Sequence, residues 1–512
     1  MTARPATRPT SLHTTMCLPP SSSRPAPCGG PTPARKRAAA LAVALALALS
    51  GCAIGPDYRA PALATLPPTF KHDAGWHTAR APQGLDGAWW TAFGDDTLTA
   101  LIDELDRANP GLGQAAARFR QAEAALRGTR AEARPSVGGE LSASRGGSAG
   151  QVDDSFDAGL SVRWMPDLWG RVRRAAEANQ AELEGSAADL AAVRLSLQAS
   201  LAQSYIQLRV LDQQRELLQQ TETTYARSLQ LVRNQYEAGL IARADVVQAE
   251  SQLEGVRAQS LALVDQRAAA ENAIAALSGQ VPSRFGLAAN GALPALPPVP
   301  AALPGQLLTR RPDLVVAERR VAAANARIGV AEAAWLPDLT LGLSGGLRAA
   351  EFGDWLQASS RVWALGPSLA ATLFDGGART AALDAARATH DAAAEAWREA
   401  VLAALQETED AFSRLRALEA RAAQQARVVA LAEENERLVT NRYQAGQVSF
   451  LEVAVAQDGT LAARRGALDI SRDRLLASVQ LVAALGGGWA GLGHEALAEP
   501  HPRRDAPNSP PA

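Results

Sequence analysis

Cysteine, histidine and aromatic residues are scarce in this sequence of 512 residues. Its three cysteines, Cys17, Cys28 and Cys52, all lie near the N-terminus. This placement argues against a disulfide framework and against a metal site built from paired thiolates. The six histidines are scattered and show no metal-ligand spacing. Aromatic residues make up 5 % of the chain, whereas alanine and leucine dominate, which favours long packed helices over a β-sandwich.

The chain also lacks a concentration of charge suited to nucleic acid. Its formal net charge is −2, and the first 51 residues hold six basic residues and no acid, so the remainder holds 45 basic and 53 acidic residues, or −8. A nucleic-acid partner is therefore not expected, because such a surface needs clustered basic residues. There is no phosphate-binding loop of Walker type and no catalytic constellation, so we predict neither enzyme activity nor a diffusible cofactor.

One stretch of the chain occurs twice. The copies share a tyrosine, an alanine, a glycine and an acid at an offset of 207 residues: Tyr236, Ala238, Gly239 and Asp245 in the first copy, Tyr443, Ala445, Gly446 and Glu452 in the second. Each copy lies between two long segments without proline, and a glycine can end a helix in the left-handed conformation. The repeat therefore predicts two helical hairpins, each with its tip at one copy, in a duplicated chain.

The N-terminal segment reads as a targeting signal. Arg35-Lys36-Arg37 precedes an apolar run of about 12 residues, too short to cross a bilayer as a helix, and then comes Leu49-Ser50-Gly51-Cys52. This ending resembles the lipobox of bacterial lipoproteins, which implies cleavage before Cys52 and acylation of its thiol and new amine. The alternative is an ordinary signal peptide with an incidental cysteine. Ala53 follows rather than aspartate, so nothing argues for retention in the inner membrane.

The positions of proline divide the chain into domains. Residues 1–33, rich in proline, serine and threonine, leave the true start codon open, and a possible N-terminal extension therefore precedes the signal. The predicted divisions are a signal peptide within 1–51, an extended lipid-anchored leader at 52–97, a first repeat at 98–281, a linker at 282–306, a second repeat at 307–488 and a disordered tail at 489–512.

Each repeat is predicted to contain a helix, two strands, a very long helix, a tip and a returning helix. The first repeat has helix 98–134 with a break near 109–110, strands 137–143 and 156–164 around a loop at 146–155, and helices from 171 to about 236 and on to about 278. The second has helix 307–335, strands 339–344 and 365–374, and helices from 376 to the second tip and on to about 486. Spacings of four, four and three between Leu197, Leu201, Tyr205 and Leu208 indicate a coiled-coil seam.

The predicted strands have one apolar and one polar face. From Phe156 to Trp164, apolar and polar side chains alternate without exception. Four strands cannot close a membrane barrel, for which about eight is the minimum, and an open sheet cannot lie in lipid with unpaired edges. If these strands lie in a membrane, several copies must combine, two giving eight strands and three giving twelve.

The lipobox, the Gly-Pro-Asp-Tyr stretch at 55–58, the duplicated halves and the two Tyr-x-Ala-Gly tips together resemble the TolC/OprM-type outer membrane factors of the lipoprotein branch. The resemblance implies a homotrimer with a twelve-stranded β-barrel, four strands from each protomer, on a long periplasmic α-helical barrel, with the linker in its equatorial region. It implies the exit duct of a tripartite efflux pump. Its partners would be a periplasmic membrane-fusion adaptor, an inner-membrane transporter of RND type and outer membrane lipid, with diacylglycerol and an N-acyl chain on Cys52.

The resemblance also assigns roles to the tip residues. Glu452 matches an acidic ring at the periplasmic end of the duct, and Asp245 is its repeat mate, while Val455 stands where a second acid can occur. A ring of carboxylates would favour cations. The alternative for both acids is an N-cap or first-turn position that stabilises a helix start.

The tip glycines and tyrosines are expected to contact the adaptor. For Gly239 and Gly446, the alternative or additional role is the simpler one of C-capping a helix. For Tyr236 and Tyr443 the alternative is packing within the tip.

Three other functions stay open at this point. The same fold serves type I protein secretion. A periplasmic coiled-coil lipoprotein could bridge the envelope without a pore, although the alternating strands argue against it. An enzyme is the most remote reading. The sequence does not identify the transported substrate.

Overall fold

The computed structural model describes residues 54–61, 69–71, 87–148, 151–298 and 304–489. The predicted signal peptide, Cys52 and most of the predicted disordered tail lie outside these residues.

Both halves of the chain contain the same elements in the same order. The first half consists of α1 (Asp96–Ala108), α2 (Pro110–Glu132), β1 (Ser136–Ser148), β2 (Gln151–Trp164), α3 (Arg171–Glu237) and α4 (Arg243–Leu277). The second consists of α5 (Leu307–Arg310), α6 (Pro312–Ala333), β3 (Asp338–Ala349), β4 (Arg361–Ala370), α7 (Ala378–Gln444) and α8 (Phe450–Ala484). The order of elements and the break after α1 confirm the sequence-based prediction.

The long helices follow the duplication residue by residue. Helices α3 and α7 have 67 residues each, and α4 and α8 have 35 each. At 1.5 Å per residue, the longer pair spans about 100 Å. Isolated helices gain little from propensity alone, so packing of one helix against the next must stabilise this length.

The strands form one antiparallel sheet in the order β1-β2-β3-β4. Three predicted boundaries were wrong. The strand placed at 339–344 continues to Ala349. The first hairpin loop, placed at 146–155, is mostly strand, because pairing continues to Ser148 opposite Gln151 and brings Arg145 within 3.6 Å of Asp154. The last strand, placed at 365–374, runs from Arg361 to Ala370 instead.

The later residues of that predicted strand leave the sheet because the chain turns into α7. The Asp375 carboxylate accepts hydrogen bonds from the backbone N–H groups of Gly377 at 3.0 Å and Arg379 at 3.2 Å, which prepares the first turn of the helix. Pro367, which cannot donate a ladder hydrogen bond, lies on β4 at the edge of the sheet, as expected.

The register of the sheet separates two faces. Residues directly opposite each other on antiparallel strands share a face. One face carries large apolar side chains: Val137, Leu141, Phe156, Leu160, Val162, Trp164, Leu339, Leu341, Leu343, Leu347, Trp363, Leu365 and Leu369. The other face consists mainly of serine and glycine with a few charged residues. The alternation predicted for 156–164 is therefore confirmed and extends across all four strands.

The helices pack in two arrangements along their length. Toward the sheet, α2 packs on α3, α3 on α6 and α6 on α7; farther away, α4 packs on α3, α3 on α8 and α8 on α7. The changeover occurs where α4 ends beside the start of α2, and α8 beside the start of α6. The Asn109 amide donates to the carbonyl of Leu277 at 2.7 Å, and in the second half the Arg311 guanidinium donates to that of Ala484 at 3.2 Å.

The predicted linker is held by a buried charge network. Asp212, whose side chain is 2 % exposed, accepts hydrogen bonds from Arg209 at 3.1 Å and Arg267 at 2.7 Å. The two arginines also donate to the carbonyls of Ala288 and Leu287, at 2.9 and 2.7 Å. The Asp212 carboxylate also accepts a hydrogen bond from the backbone N–H of Asn290 at 3.1 Å. Residues 287–290 are thereby fastened to α3 and α4 by side-chain hydrogen bonds, and Leu287 also packs against the hydrophobic core. Among the described residues, no helix combines the length and the apolar character required to cross a bilayer.

Replacing Asp212 by asparagine should destabilise the fold strongly. The substitution leaves the buried Arg209 guanidinium without its counter-charge and Arg267 with Glu271 alone, at 3.3 Å. Breaking a buried pair in this way typically costs about 3–5 kcal/mol. Thermal unfolding followed by circular dichroism would measure the effect as a lower transition temperature. The matched control is Glu419→Gln, at the equivalent exposed position of the second repeat. Equal transition temperatures for the two variants would contradict the importance of the network.

Candidate functional site

The two hairpin tips have the same backbone geometry. After α3, the N–H of Gly239 donates to the carbonyl of Tyr236 at 2.8 Å, and that of Leu240 to Gln235 at 2.9 Å. After α7, Gly446 and Gln447 repeat both bonds, each at 2.9 Å. This pair of bonds is the Schellman motif, which satisfies the last carbonyls of a helix.

The glycines of the tips are required by this turn. Gly239 and Gly446 have φ angles of 73° and 72°, in the left-handed region that side chains disfavour. A Cβ atom at either position would meet no other atom within 4 Å. The C-cap role is therefore confirmed, and the outer side of each glycine faces open space in the single chain.

The two candidate acids lie in the first turns of the returning helices. Asp245 is in α4 and Glu452 in α8, and their N–H groups donate to Ala242 and Ser449, each at 3.2 Å. Neither acid is the N-cap residue, and neither N-cap side chain forms a capping bond, so each acid supplies the negative charge that the helix start favours. Glu452 is exposed and Asp245 is half-buried. In the described part of the chain, no hydrogen bond or ion pair joins these two acids.

Tyr443 connects the second tip to the first. Its side chain is buried, its hydroxyl donates to the side-chain oxygen of Gln235, and its ring packs edge-on against Phe450 at 5.8 Å between centroids. Burial raises the pKa of Tyr443, and the negative charge of Asp245 raises it further. The charge of Asp245 on the first hairpin therefore acts on the Tyr443 hydroxyl of the second, with no hydrogen bond between the two side chains among the described residues, and Tyr443 has the packing role considered from the sequence.

Tyr236 has different surroundings from its repeat mate. It is 40 % exposed, and the guanidinium of Arg243 lies 6.0 Å from its ring centroid. Arg243 occupies the position that Phe450 has in the second repeat. The same helix-end geometry thus carries a buried aromatic pair at one tip and an exposed tyrosine–arginine pair at the other.

Contacts between the two hairpins continue above the tips. The Tyr225 hydroxyl donates to Asp458 at 2.9 Å, and the Gln457 amide donates to the Ser228 hydroxyl at 3.1 Å. Burial raises the pKa of Tyr225, and the negative charge of Asp458 adds to this. Sequence reasoning missed these residues. A signal was present, because the repeat mates of Tyr225 and Asp458 are Ala432 and Ser251, so both polar partners break the repeat.

The Gly-Pro-Asp-Tyr stretch near the N-terminus is docked on the helices. The Arg174 guanidinium, 6 % exposed, donates to the carbonyls of Ile54 and Gly55 at 3.1 and 3.0 Å and to the Asp57 carboxylate at 3.0 Å. The Asn325 amide donates to the carbonyl of Pro56 at 2.9 Å. The stretch therefore joins α3 of the first repeat to α6 of the second, close to the end of β2.

Metal-ligand geometry is not found in this part of the chain. Among the described residues, no group of three histidine, cysteine, aspartate or glutamate side chains is arranged to hold an ion.

Comparison with known proteins places this geometry in a family. The sequence pattern of the outer membrane efflux protein family matches residues 101–280 and 303–487, one match in each repeat. The cation efflux system protein CusC of Escherichia coli O6:H1 is 30 % identical over 454 residues, covering 86 % of this chain and 96 % of CusC. The pyoverdine export outer membrane protein OpmQ of Pseudomonas aeruginosa is 33 % identical over 416 residues, 78 % of this chain and 87 % of OpmQ.

A solved structure agrees with the same assignment. The outer-membrane channel OprN superposes with a TM-score of 0.79 at 31 % identity, covering 86 % of this chain and all of OprN. The resemblance drawn from the lipobox, the tips and the duplicated halves is thus confirmed at the level of the family. The chain belongs to the outer membrane efflux protein family, and it is an efflux channel of the outer membrane that extends into the periplasm.

Proposed function

We propose that three copies of this chain form the exit duct, closed in the membrane as a twelve-stranded barrel. The proposal rests above all on the two-faced sheet. β1 and β4 are its edges, and because the four strands alternate in direction, β4 of one copy can pair antiparallel with β1 of the next. Such a contact joins two different surfaces, so it forms a ring when the rotation closes. Closure also removes the unpaired edges that lipid does not tolerate.

The side chains of the sheet suit a wall between lipid and water. The apolar face is bounded by aromatic residues at both ends: Trp164 near the helices, and Phe156 and Trp363 near the loop between β3 and β4. Membrane barrels show apolar outer bands about 25 Å tall between such aromatic girdles. The serine- and glycine-rich face would line the duct, where short side chains leave room for varied solutes.

The tips are the surfaces proposed to contact a periplasmic adaptor, which links the duct to an inner-membrane transporter of RND type. Several large apolar side chains near the tips are exposed in the single chain: Leu240 at 73 %, Val247 at 51 %, Leu451 at 56 % and Val455 at 65 %. The tip glycines face open space, which permits close approach of another backbone.

Glu452 is proposed as the acidic ring that narrows the periplasmic end, with Asp245 beside Tyr443 as a second acid. Three exposed carboxylates brought together by symmetry would favour cations in a water-filled constriction. The bonds from Tyr443 to Gln235 and from Tyr225 to Asp458 would hold the hairpins together, so opening the duct requires them to separate.

Lipidation of Cys52 is proposed as a second membrane attachment. Its support is the docked stretch that follows, because Arg174 holds Ile54 and Gly55 beside the end of β2. The described chain thus begins next to the sheet, where an acylated N-terminus would be close to lipid. The names of the two relatives describe efflux of cations and export of pyoverdine. For this chain we propose that the cargo is small solutes delivered by its transporter.

Glu452→Ala should increase single-channel conductance and weaken cation preference, because it removes three carboxylates from the narrowest part of the duct. Planar-bilayer recordings of the purified trimer under a salt gradient measure both quantities. Glu399→Gln removes an exposed acid from the first half of α7, far along the helix from the tip, and should leave both unchanged. Identical currents for Glu452→Ala and the unmodified protein would rule out the acidic ring.

Tyr443→Phe should raise the open probability of the same channel about five-fold. The substitution removes one hydrogen bond between the hairpins, worth about 1 kcal/mol net, and retains the ring packed on Phe450. Tyr236→Phe is the control, because that hydroxyl has no side-chain hydrogen bond among the described residues. If both variants behave alike, the bond to Gln235 does not hold the tips closed.

A bulky residue at Gly446 should abolish efflux without preventing assembly. Gly446→Ala introduces only the backbone strain of a left-handed residue, roughly 1 kcal/mol, whereas Gly446→Phe adds a ring that projects into open space. Solute resistance of cells and the amount of membrane trimer are measured together. Loss of resistance in the phenylalanine variant alone supports adaptor contact, and normal resistance with normal trimer levels contradicts it.

A further inference from the structure

Arg361 is a charged side chain on the apolar face of the sheet, near the loop between β3 and β4. Arg361 begins β4 and lies directly opposite Leu347, which lies opposite Ala158 of β2. Directly opposed residues share a face, so Arg361 is on the side that carries the large apolar residues. The next residue of β4 on this face is Trp363, which is 79 % exposed.

A nearby aromatic cluster indicates the level of Arg361 relative to a membrane–water interface. The Phe156 ring packs edge-on against Phe352 at 5.5 Å, and Phe352 lies 5.8 Å from Trp355. Phe156 is opposite Ala349, two residues along β3 from the partner of Arg361. Two residues of a strand span about 7 Å. Arg361 therefore lies between this aromatic cluster and Trp363, at the level where aromatic residues collect at a membrane–water interface.

Two other arginines near this end of the sheet have acidic partners. Arg145, on the same face, is 3.6 Å from Asp154, and Arg348, on the polar face, forms an ion pair with Asp157. Arg361 has no hydrogen bond or ion pair through its side chain among the described residues. Arg361 thus differs from these two arginines in having no acidic partner in the part of the chain that the structure describes.

A neighbouring copy would not supply the missing anion. If β1 of another chain paired with β4, its residues on the apolar face would be Val137, Gly139, Leu141, Ala143 and Arg145, none of them acidic. An arginine facing lipid costs about 2–4 kcal/mol at the midplane and about 0–1 near the interface. Arg361 is therefore best placed among lipid headgroups, where the available anion is a phosphate.

We infer that Arg361 binds the phosphate of a lipid in the leaflet at the loop end of the sheet. The inference rests on the proposed membrane barrel, which would carry three such sites. The planar guanidinium can donate two parallel hydrogen bonds to phosphate oxygens. Trp363 and Phe352, 79 % and 68 % exposed, offer apolar surface to the first part of the acyl chains.

Native mass spectrometry of the trimer tests the site with defined lipids. The protein is reconstituted in phosphatidylcholine nanodiscs containing diphosphorylated lipid A or its dephosphorylated form. We expect the unmodified trimer to retain up to about three phosphorylated lipids, and Arg361→Gln to bind them about five-fold more weakly, as expected for one basic residue at a membrane surface. Arg361→Lys should restore part of the binding because it restores the charge.

Arg163→Gln is the matched control, because it removes the same charge from an exposed residue on the polar face. It should retain the lipid as the unmodified protein does. Equal retention by Arg361→Gln, equal retention of the dephosphorylated lipid, or the same protein stabilisation by inorganic phosphate alone would each overturn the inference.

Single-channel recording separates this inference from the proposed function. Both Arg361 variants are expected to conduct, since Arg361 does not face the proposed duct. Conducting trimers without lipid preference would overturn only the Arg361 site. A failure of the unmodified trimer to form a pore, together with the absence of a membrane barrel, would overturn the proposed function on which the site depends.

Discussion

Backbone hydrogen bonding in hydrocarbon is the constraint on which the rest of this structure depends. Each strand that enters lipid must pair on both sides, because an unpaired N–H or C=O group has no water to bond. One chain contributes a sheet of four strands and leaves β1 and β4 with free edges. In the barrel proposed above, other copies would complete the sheet, and the helices beneath it would match that repeat.

The long helices exchange their shorter packing partners at one level along their length, so that each chain presents four helices on both sides of that level. Near the sheet, one short and one long helix come from each repeat, while farther away the returning helices α4 and α8 take the place of α2 and α6. Asn109 and Arg311 join the ends of successive helices at equivalent points of the two repeats. Four helices per chain thus continue over the whole length although only two of them are long.

The duplication gives both hairpins the same backbone geometry, and sequence divergence makes the side chains of the two tips different. Both tips retain the same Schellman turn, since glycine with positive φ is needed to end each long helix. The pair Tyr443 and Phe450 is buried against the first hairpin, whereas Tyr236 and Arg243 are exposed. The two hairpins of a chain therefore have similar backbones but can make different contacts. The aromatic pair of the second hairpin suits it to hold the first.

Much of the fold was predictable because it depends on short-range patterns. Helical periodicity, proline-free stretches and the repeated Tyr-x-Ala-Gly motif located the long helices and both tips. Alternation located the strands but not their ends: Gly146 and Gly147 read as loop, yet they pair with Asp153 and Val152. The reason is that a ladder hydrogen bond requires only a backbone partner, and a glycine-rich strand shows no alternation of side chains.

What the sequence by itself determined is the duplicated order of elements, the two faces of the strands and the turns at the tips. The faces and the turns follow from spacing or glycine geometry within about ten residues, and the duplication follows from the recurrence of one such local motif 207 residues later. The tertiary structure decided which tyrosine is buried, which polar residues join the hairpins and how Asp212 holds the linker. It also decided that Arg361 lies on the apolar face without an acidic partner among the described residues. These properties depend on segments far apart in the chain, and Tyr225 meets Asp458 only after both hairpins have packed.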